Sequence, residues 1–163
     1  MKTRIENSQR SVPRDSRLSS RTIRTFLAED SPLVMALLNR IVSKDRRVAI
    51  VGSATDGRKA LCNASRLEPD LGVTDLHMPG LDGAEVTRHL KQRLNAPIVF
   101  VATSDDTPEA RARCVAAGAD AFLVKAGNVA PRLLSAIQEF FPDDCDWNGA
   151  EPKHHCESLT TVI

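Results

Sequence analysis

The chain has 163 residues, 42% of them hydrophobic, and a formal net charge of +1. That balance suits one globular domain with an ordinary core, and it excludes a strongly basic nucleic-acid binder or an acidic scaffold as a reading of the bulk charge. The charge is unevenly placed, however: Met1 to Arg24 carries seven basic residues against Glu6 and Asp15, and Pro142 to Ile163 carries five acidic residues against Lys153.

Residues 1–22 therefore read as a basic N-terminal extension and 142–163 as an acidic C-terminal tail, both solvated, around one domain spanning 23–141. Four cysteines with no C-x-x-C pair read as reduced thiols of a cytoplasmic protein. Cys145, His154, His155 and Cys156 lack the spacing of zinc ligands. The first thirty residues contain no apolar signal region, and the longest apolar run, Ile98 to Ala102, is too short to cross a bilayer.

Taken in chain order, Ile23 to Ala28 is a short, nearly all-apolar strand. Ser31 then caps a helix whose first position is Pro32, where a missing N–H costs nothing, and Leu33, Val34, Leu37, Leu38, Ile41 and Val42 line one face. A second strand runs from Val48 to Val51. The following Gly52 to Gly57 has the glycine spacing of a phosphate-binding loop, but Arg58 and Lys59 stand where that loop needs lysine and a hydroxyl, so it reads as a strand-to-helix turn. The second helix runs from about Arg58 to Arg66, burying Leu61 and Ala64, and stops before Glu68-Pro69.

Leu71 to Thr74 is the third strand, followed by a turn in which Gly80 and Gly83 serve the backbone. The third helix carries Val86, Leu90 and Leu94. Ile98 to Ala102 is the fourth strand, and Pro108 to Ala117 a fourth helix in which Val115 is the sole large aliphatic residue. Ala121 to Val124 is the fifth strand, and the last helix has Leu133, Leu134, Ile137 and Phe140 on one side and ends before Pro142. Short apolar strands alternating with helices predict an α/β domain with a parallel sheet buried on both faces.

In such a sheet all carboxyl ends share one edge, where ligands bind. Glu29 and Asp30 follow the first strand, Asp75 the third, Thr103 the fourth and Lys125 the fifth, so all five converge there. Three carboxylates together need a cation, and hard oxygen donors suit Mg²⁺, while Lys125 supplies a fixed positive charge. The set suits phosphoryl transfer, with Asp75 as a carboxylate nucleophile and the Thr103 hydroxyl within reach of a phosphoryl oxygen.

The segments F-L-A-E-D-S at 26–31, P-D-L-G-V-T-D-L-H-M-P-G-L-D-G at 69–83 and A-G-A-D-A-F-L-V-K at 117–125 resemble response-regulator receiver domains. The resemblance implies a flavodoxin-like, doubly wound fold with five parallel strands in the order 2-1-3-4-5 and five helices. It makes Asp75 the phosphoacceptor. Mg²⁺ is then held by Glu29, Asp30, Asp75 and the backbone carbonyl of His77, and Lys125 pairs with Asp75 or the phosphoryl group. Thr103 and Phe122 become the switch residues, although counting from Pro97 would put Ala102 in place of Thr103, whereas counting back from Gly118 favours Thr103. The sequence departs from the family at Glu29, where Asp is commoner, and at Ala126, where many members have Pro.

The implied partners are a histidine kinase or phosphotransfer protein as donor and an output protein, with no DNA-binding domain in the polar residues after Phe141. The face formed by the fourth helix, fifth strand and fifth helix is the expected output surface and a possible homodimer surface. Two other classes compete with this reading. One is a receiver-like binding module that works without phosphorylation; the other is a hydrolase of the haloacid dehalogenase type, whose D-x-D-x-T is absent, since Leu76 and His77 follow Asp75.

Overall fold

Each apolar run becomes a strand and each segment of helical period a helix, alternating without exception. In a computed structural model that describes residues 22–142, the order is β1 (Ile23–Ala28), α1 (Pro32–Val42), β2 (Val48–Ala54), α2 (Gly57–Leu67), β3 (Leu71–Thr74), α3 (Gly83–Lys91), β4 (Ile98–Thr103), α4 (Pro108–Ala116), β5 (Ala121–Val124) and α5 (Val129–Phe140). All strand pairs are parallel, in the order β2-β1-β3-β4-β5. Both tails and the Cys145, His154, His155 and Cys156 group lie outside the described residues.

Successive strand residues point to opposite faces, so the sheet feeds two cores. Leu27, Val73, Phe100 and Leu123 pack with Leu38, Ile41, Leu133 and Ile137 of α1 and α5. On the other face Phe26, Ala28 and Val99 meet α2 and α3 through Ala60, Ala64, Val86 and Leu90. A third cluster joins Val101 and Phe122 to Ala110 and Cys114 of α4.

Local signals fix the helix ends. The Ser31 side chain accepts from the Val34 N–H, and Asp56 from Lys59. Asp82 and Glu85 form a reciprocal capping box at the start of α3. α2 ends on Glu68 in the left-handed region (φ 45°), directly before Pro69.

Several expectations need correction. Leu33 and Leu37 lie on the solvent side of α1, 80% and 48% exposed, because the buried stripe runs through Leu38, Ile41 and Val42 alone. Leu94 falls beyond the end of α3 and is fully exposed. Leu61 is only partly buried. β2 continues to Ala54 and, as an edge strand, is mostly half-buried instead of covered on both faces. Val115 is 43% exposed, so α4 is anchored by Ala110 and Cys114.

Arg47 ties the two ends of the domain together. Its carbonyl accepts from Ile23 N–H at 2.7 Å. Its guanidinium donates to Asp45, to Gln138 at 3.1 Å and to the Phe141 carbonyl. The Arg47 hydrogen bond, above all, holds the Asp45 carboxyl below its usual range. Replacing Arg47 by Ala should lower stability by about 1.5–3 kcal/mol, the range for hydrogen bonds to charged groups, as read from urea midpoints. With a folded-state pKa that is depressed, the Asp45 contribution is present above about pH 3.9 and is lost as pH falls through the lowered value, so the variant should also lose part of its acid sensitivity.

The thin anchorage of α4 has a chemical readout. Cys62 is exposed, whereas Cys114 is fully buried and its thiol is pushed up to about 11, chiefly by burial. Of the two described cysteines, alkylation at mildly alkaline pH should modify Cys62 before Cys114, which it reaches only when α4 opens. Arg113 of α4 pairs with Asp82, and both side chains are partly solvated. Arg113→Ala should therefore speed Cys114 labelling by about 1.4- to 5-fold, the equivalent of a pair worth roughly 0.2–1 kcal/mol; an unchanged rate would show that the pair does not hold α4 closed.

Candidate functional site

Because β1 and β3 are neighbours, the residues that follow them meet at the carboxyl edge. Glu29 N–H donates to the Ala54 carbonyl at 3.0 Å and Asp75 N–H to the Ala28 carbonyl at 2.8 Å, which continues the strand ladders into the site. Carboxylate oxygens of Glu29, Asp30 and Asp75 all lie within 4.8 Å of one another. Glu29 and Asp75 are buried, at 1% and 7% exposure, while Asp30 faces solvent.

Lys125, directly after β5, reaches across the edge to both buried carboxylates. Its ammonium hydrogen-bonds Glu29 Oε2 and sits 3.2 Å from Asp75 Oδ1. Burial raises the Glu29 pKa, and the Lys125 hydrogen bond opposes that rise. Asp75 Oδ1 also accepts from the Leu76 N–H at 2.8 Å, so the oxygen facing Lys125 is fixed from two sides. Glu29 Oε1 accepts from the Ser31 N–H.

The loop after β3 is shaped by two glycines. Gly80 has φ 84°, a region that side-chain-bearing residues rarely occupy. At Gly83 an added Cβ would lie 2.0 Å from the Asp75 carbonyl oxygen, so the start of α3 packs directly against the backbone of Asp75.

Thr103 is the last residue of β4, fully buried, and its carbonyl accepts from the Lys125 N–H at 2.7 Å. Its hydroxyl accepts from the Asp105 N–H at 3.2 Å. Ala102 belongs instead to the core beneath α1 and α5. Phe122 is buried, with the Arg111 guanidinium 4.6 Å from its ring centroid.

The His77 side chain is 60% exposed and bonds Asp105 at 3.1 Å, linking the loops after β3 and β4. Hydrogen bonds from Thr107, then His77, hold the Asp105 carboxyl below its usual range. Asp105 and Arg111 were not singled out from sequence. The D-x-T-P pattern at 105–108 marks a helix start, but nothing in the order of residues pairs Asp105 with His77 or Arg111 with Phe122.

A family model for the response regulator receiver domain matches residues 25–138. A protein-glutamate methylesterase/protein-glutamine glutaminase of Methanospirillum hungatei is 38% identical over 121 residues, 72% of this chain and 35% of that relative. A similarly named protein of Syntrophus aciditrophicus is 37% identical, over 63% of this chain and 30% of that relative. The chain thus spans about a third of the length of these curated relatives. Among solved structures, the response regulator domain of Thermotoga maritima CheB is 26% identical with a TM-score of 0.67, covering 73% of this chain and 96% of that one. A LuxR-family response regulator from Aurantimonas is 28% identical with a TM-score of 0.68, covering 74% of this chain and 85% of that one. The matched residues include every strand end that forms the acidic edge, and the chain belongs to the family of response regulator receiver domains of two-component signalling.

Proposed function

We propose that the chain is a phosphoacceptor switch in which Asp75 receives a phosphoryl group from a histidine kinase or phosphotransfer protein. The observation that carries this reading is the acidic edge with Lys125 between its two buried carboxylates. Asp75 Oδ1 is engaged by Leu76 and Lys125, which leaves Oδ2 as the attacking oxygen. Oδ2 bonds to phosphorus as the donor's phosphorus–nitrogen bond breaks, and the departing imidazole keeps the electron pair and takes up a proton.

Glu29, Asp30 and Asp75, with the His77 carbonyl, would hold Mg²⁺. The fit rests on clustered hard oxygen donors of which one, Asp30, is open to water, as an ion that retains several waters requires. When bound, Mg²⁺ neutralises charge on the transferring group. Lys125 orients Asp75 and then follows the negative charge to the phosphoryl oxygens. Thr103 is assigned the switch hydroxyl because it closes β4 beside Lys125, whereas Ala102 packs into the core.

In the output step the Thr103 hydroxyl turns toward the phosphoryl group and releases the Asp105 N–H, loosening the loop that leads into α4. Phe122 and its Arg111 cover lie on the same side. The α4-β5-α5 face is then the surface read by an output protein; self-association through it finds no support in the structure or the comparisons. No helix among the described residues is long and apolar enough to cross a membrane. Phosphotransfer from a histidine kinase or phosphotransfer protein would take place in the cytoplasm. In this reading the domain promotes its own phosphorylation and dephosphorylation.

Intact mass after incubation with acetyl phosphate and Mg²⁺ should show a gain of one phosphoryl group, absent in Asp75→Asn and absent without metal. No gain from either this donor or a phosphorylated histidine protein would favour a phosphate-independent module, and turnover of small phosphate esters would favour a hydrolase. Lys125→Ala should still bind Mg²⁺ but lose the shape change, seen as amide shifts in β5 and α4 that no longer respond to phosphorylation. Retained shifts would remove Lys125 from the switch.

A further inference from the structure

One face of α1 has no cover. Leu33, Leu37 and Arg40 recur at helical spacing along it, Lys44 follows in the turn after the helix, and all four are exposed. Leu33 and Leu37 are 80% and 48% accessible, and they place apolar surface beside two cations. Neither Arg40 nor Lys44 has an ion pair among the described residues. Leu37, Arg40, Ile41 and Lys44 form one wall of an open groove of about 260 Å³, and residues 127–130 form the other. That volume lies below the roughly 300–1,000 Å³ of small-molecule sites, so the groove suits one large side chain better than a metabolite.

We propose that the acidic C-terminal segment, residues 143–163, docks on this face, with Asp143, Asp144 and Asp146 against Arg40 and Lys44 and the Trp147 ring in the groove. The expected solvated tail would then be a bound one. Three observations select this occupant. The chain leaves α5 beside the basic end of α1, because the Phe141 carbonyl is held by Arg47, three residues beyond Lys44. Charge is complementary, since three of the four residues 143–146 are aspartates. The basic N-terminal extension, by contrast, carries the same sign as Arg40 and Lys44 and is repelled. Extended chain gains about 3.3–3.6 Å per residue, so Trp147 can lie well over a helical turn from the exit point.

Trp147 is the chain's single tryptophan and reports its own environment. In the full chain its emission should lie to the blue of free tryptophan, with acrylamide quenching several-fold weaker than in Arg40→Glu/Lys44→Glu. Adding Asp143→Lys and Asp144→Lys to that variant should restore both signals. Solvent-like emission in the wild type, or equal quenching in wild type and variant, would overturn the proposal. So would a blue shift that disappears on dilution together with a dimer in sedimentation, which would make a second copy the occupant.

Discussion

The ammonium of Lys125 lies between two buried carboxylates, and the placing of that one charge governs how the rest of the edge is built. Removing a carboxylate from water costs several kcal/mol unless a partner and hydrogen bonds replace the lost hydration. Glu29 and Asp75 meet this condition through Lys125 together with the Ser31 and Leu76 N–H groups. The arrangement requires the strand order found. β1 and β3 must be adjacent to bring the carboxylates together, and β3 and β4 then separate β1 from β5, so that a long side chain is needed to close the distance. Shorten Lys125 and two buried acids face each other alone.

Around this fixed centre the packing is unequal. α1 buries Leu38, Ile41 and Val42, each worth about 1.5–3 kcal/mol of transfer free energy, whereas α4 buries Ala110 and Cys114. A change at the acidic edge therefore meets strong resistance on the α1 and α5 side and little on the α4 side. The routes of least resistance are already connected to the edge: Thr103 holds the Asp105 N–H, Asp105 bonds His77 and Thr107, and Phe122 lies under Arg111 of α4. A weakly anchored helix is where modest differences in site energy can shift a population.

The strands and the five edge residues were legible in the sequence because both depend on local order: an uninterrupted apolar run makes a buried strand, and the polar residue that ends it must stand at the sheet edge. Helix coverage was less legible. Periodicity shows that α1 has an apolar stripe, but the width of the stripe that is covered depends on the crossing of α1 over the sheet, which spacing does not encode, and Leu33 and Leu37 fall outside it. Leu94 continued a four-residue spacing past a helix end that spacing cannot reveal. Whether β4 ends at Ala102 or at Thr103 is one position of strand length, which shows only once β4 is paired with β5, with Thr103 opposite Val124. The His77–Asp105 and Arg111–Phe122 contacts join elements whose relative placement is tertiary, and no pattern within either segment encodes it.

The departure from the commoner aspartate at Glu29 takes on meaning in this geometry. The longer side chain lets one carboxylate bond the Ser31 N–H through Oε1 and Lys125 through Oε2 while staying nearly buried. Lys125 is therefore shared, with its hydrogen bond directed to Glu29 and a longer contact to Asp75. Three carboxylates against one ammonium leave the edge strongly negative, which favours a divalent cation and disfavours any further anion. Under the proposed reading, phosphorylation converts the single charge of Asp75 into one nearer −2, by analogy with the roughly −1.5 to −2 of phosphorylated hydroxyl side chains. The balance at Lys125 then tips from Glu29 toward the phosphoryl oxygens, and Glu29, already raised by burial, loses the partner that offsets it. Under that reading Glu29 acts as a counterweight that stabilises the unphosphorylated state.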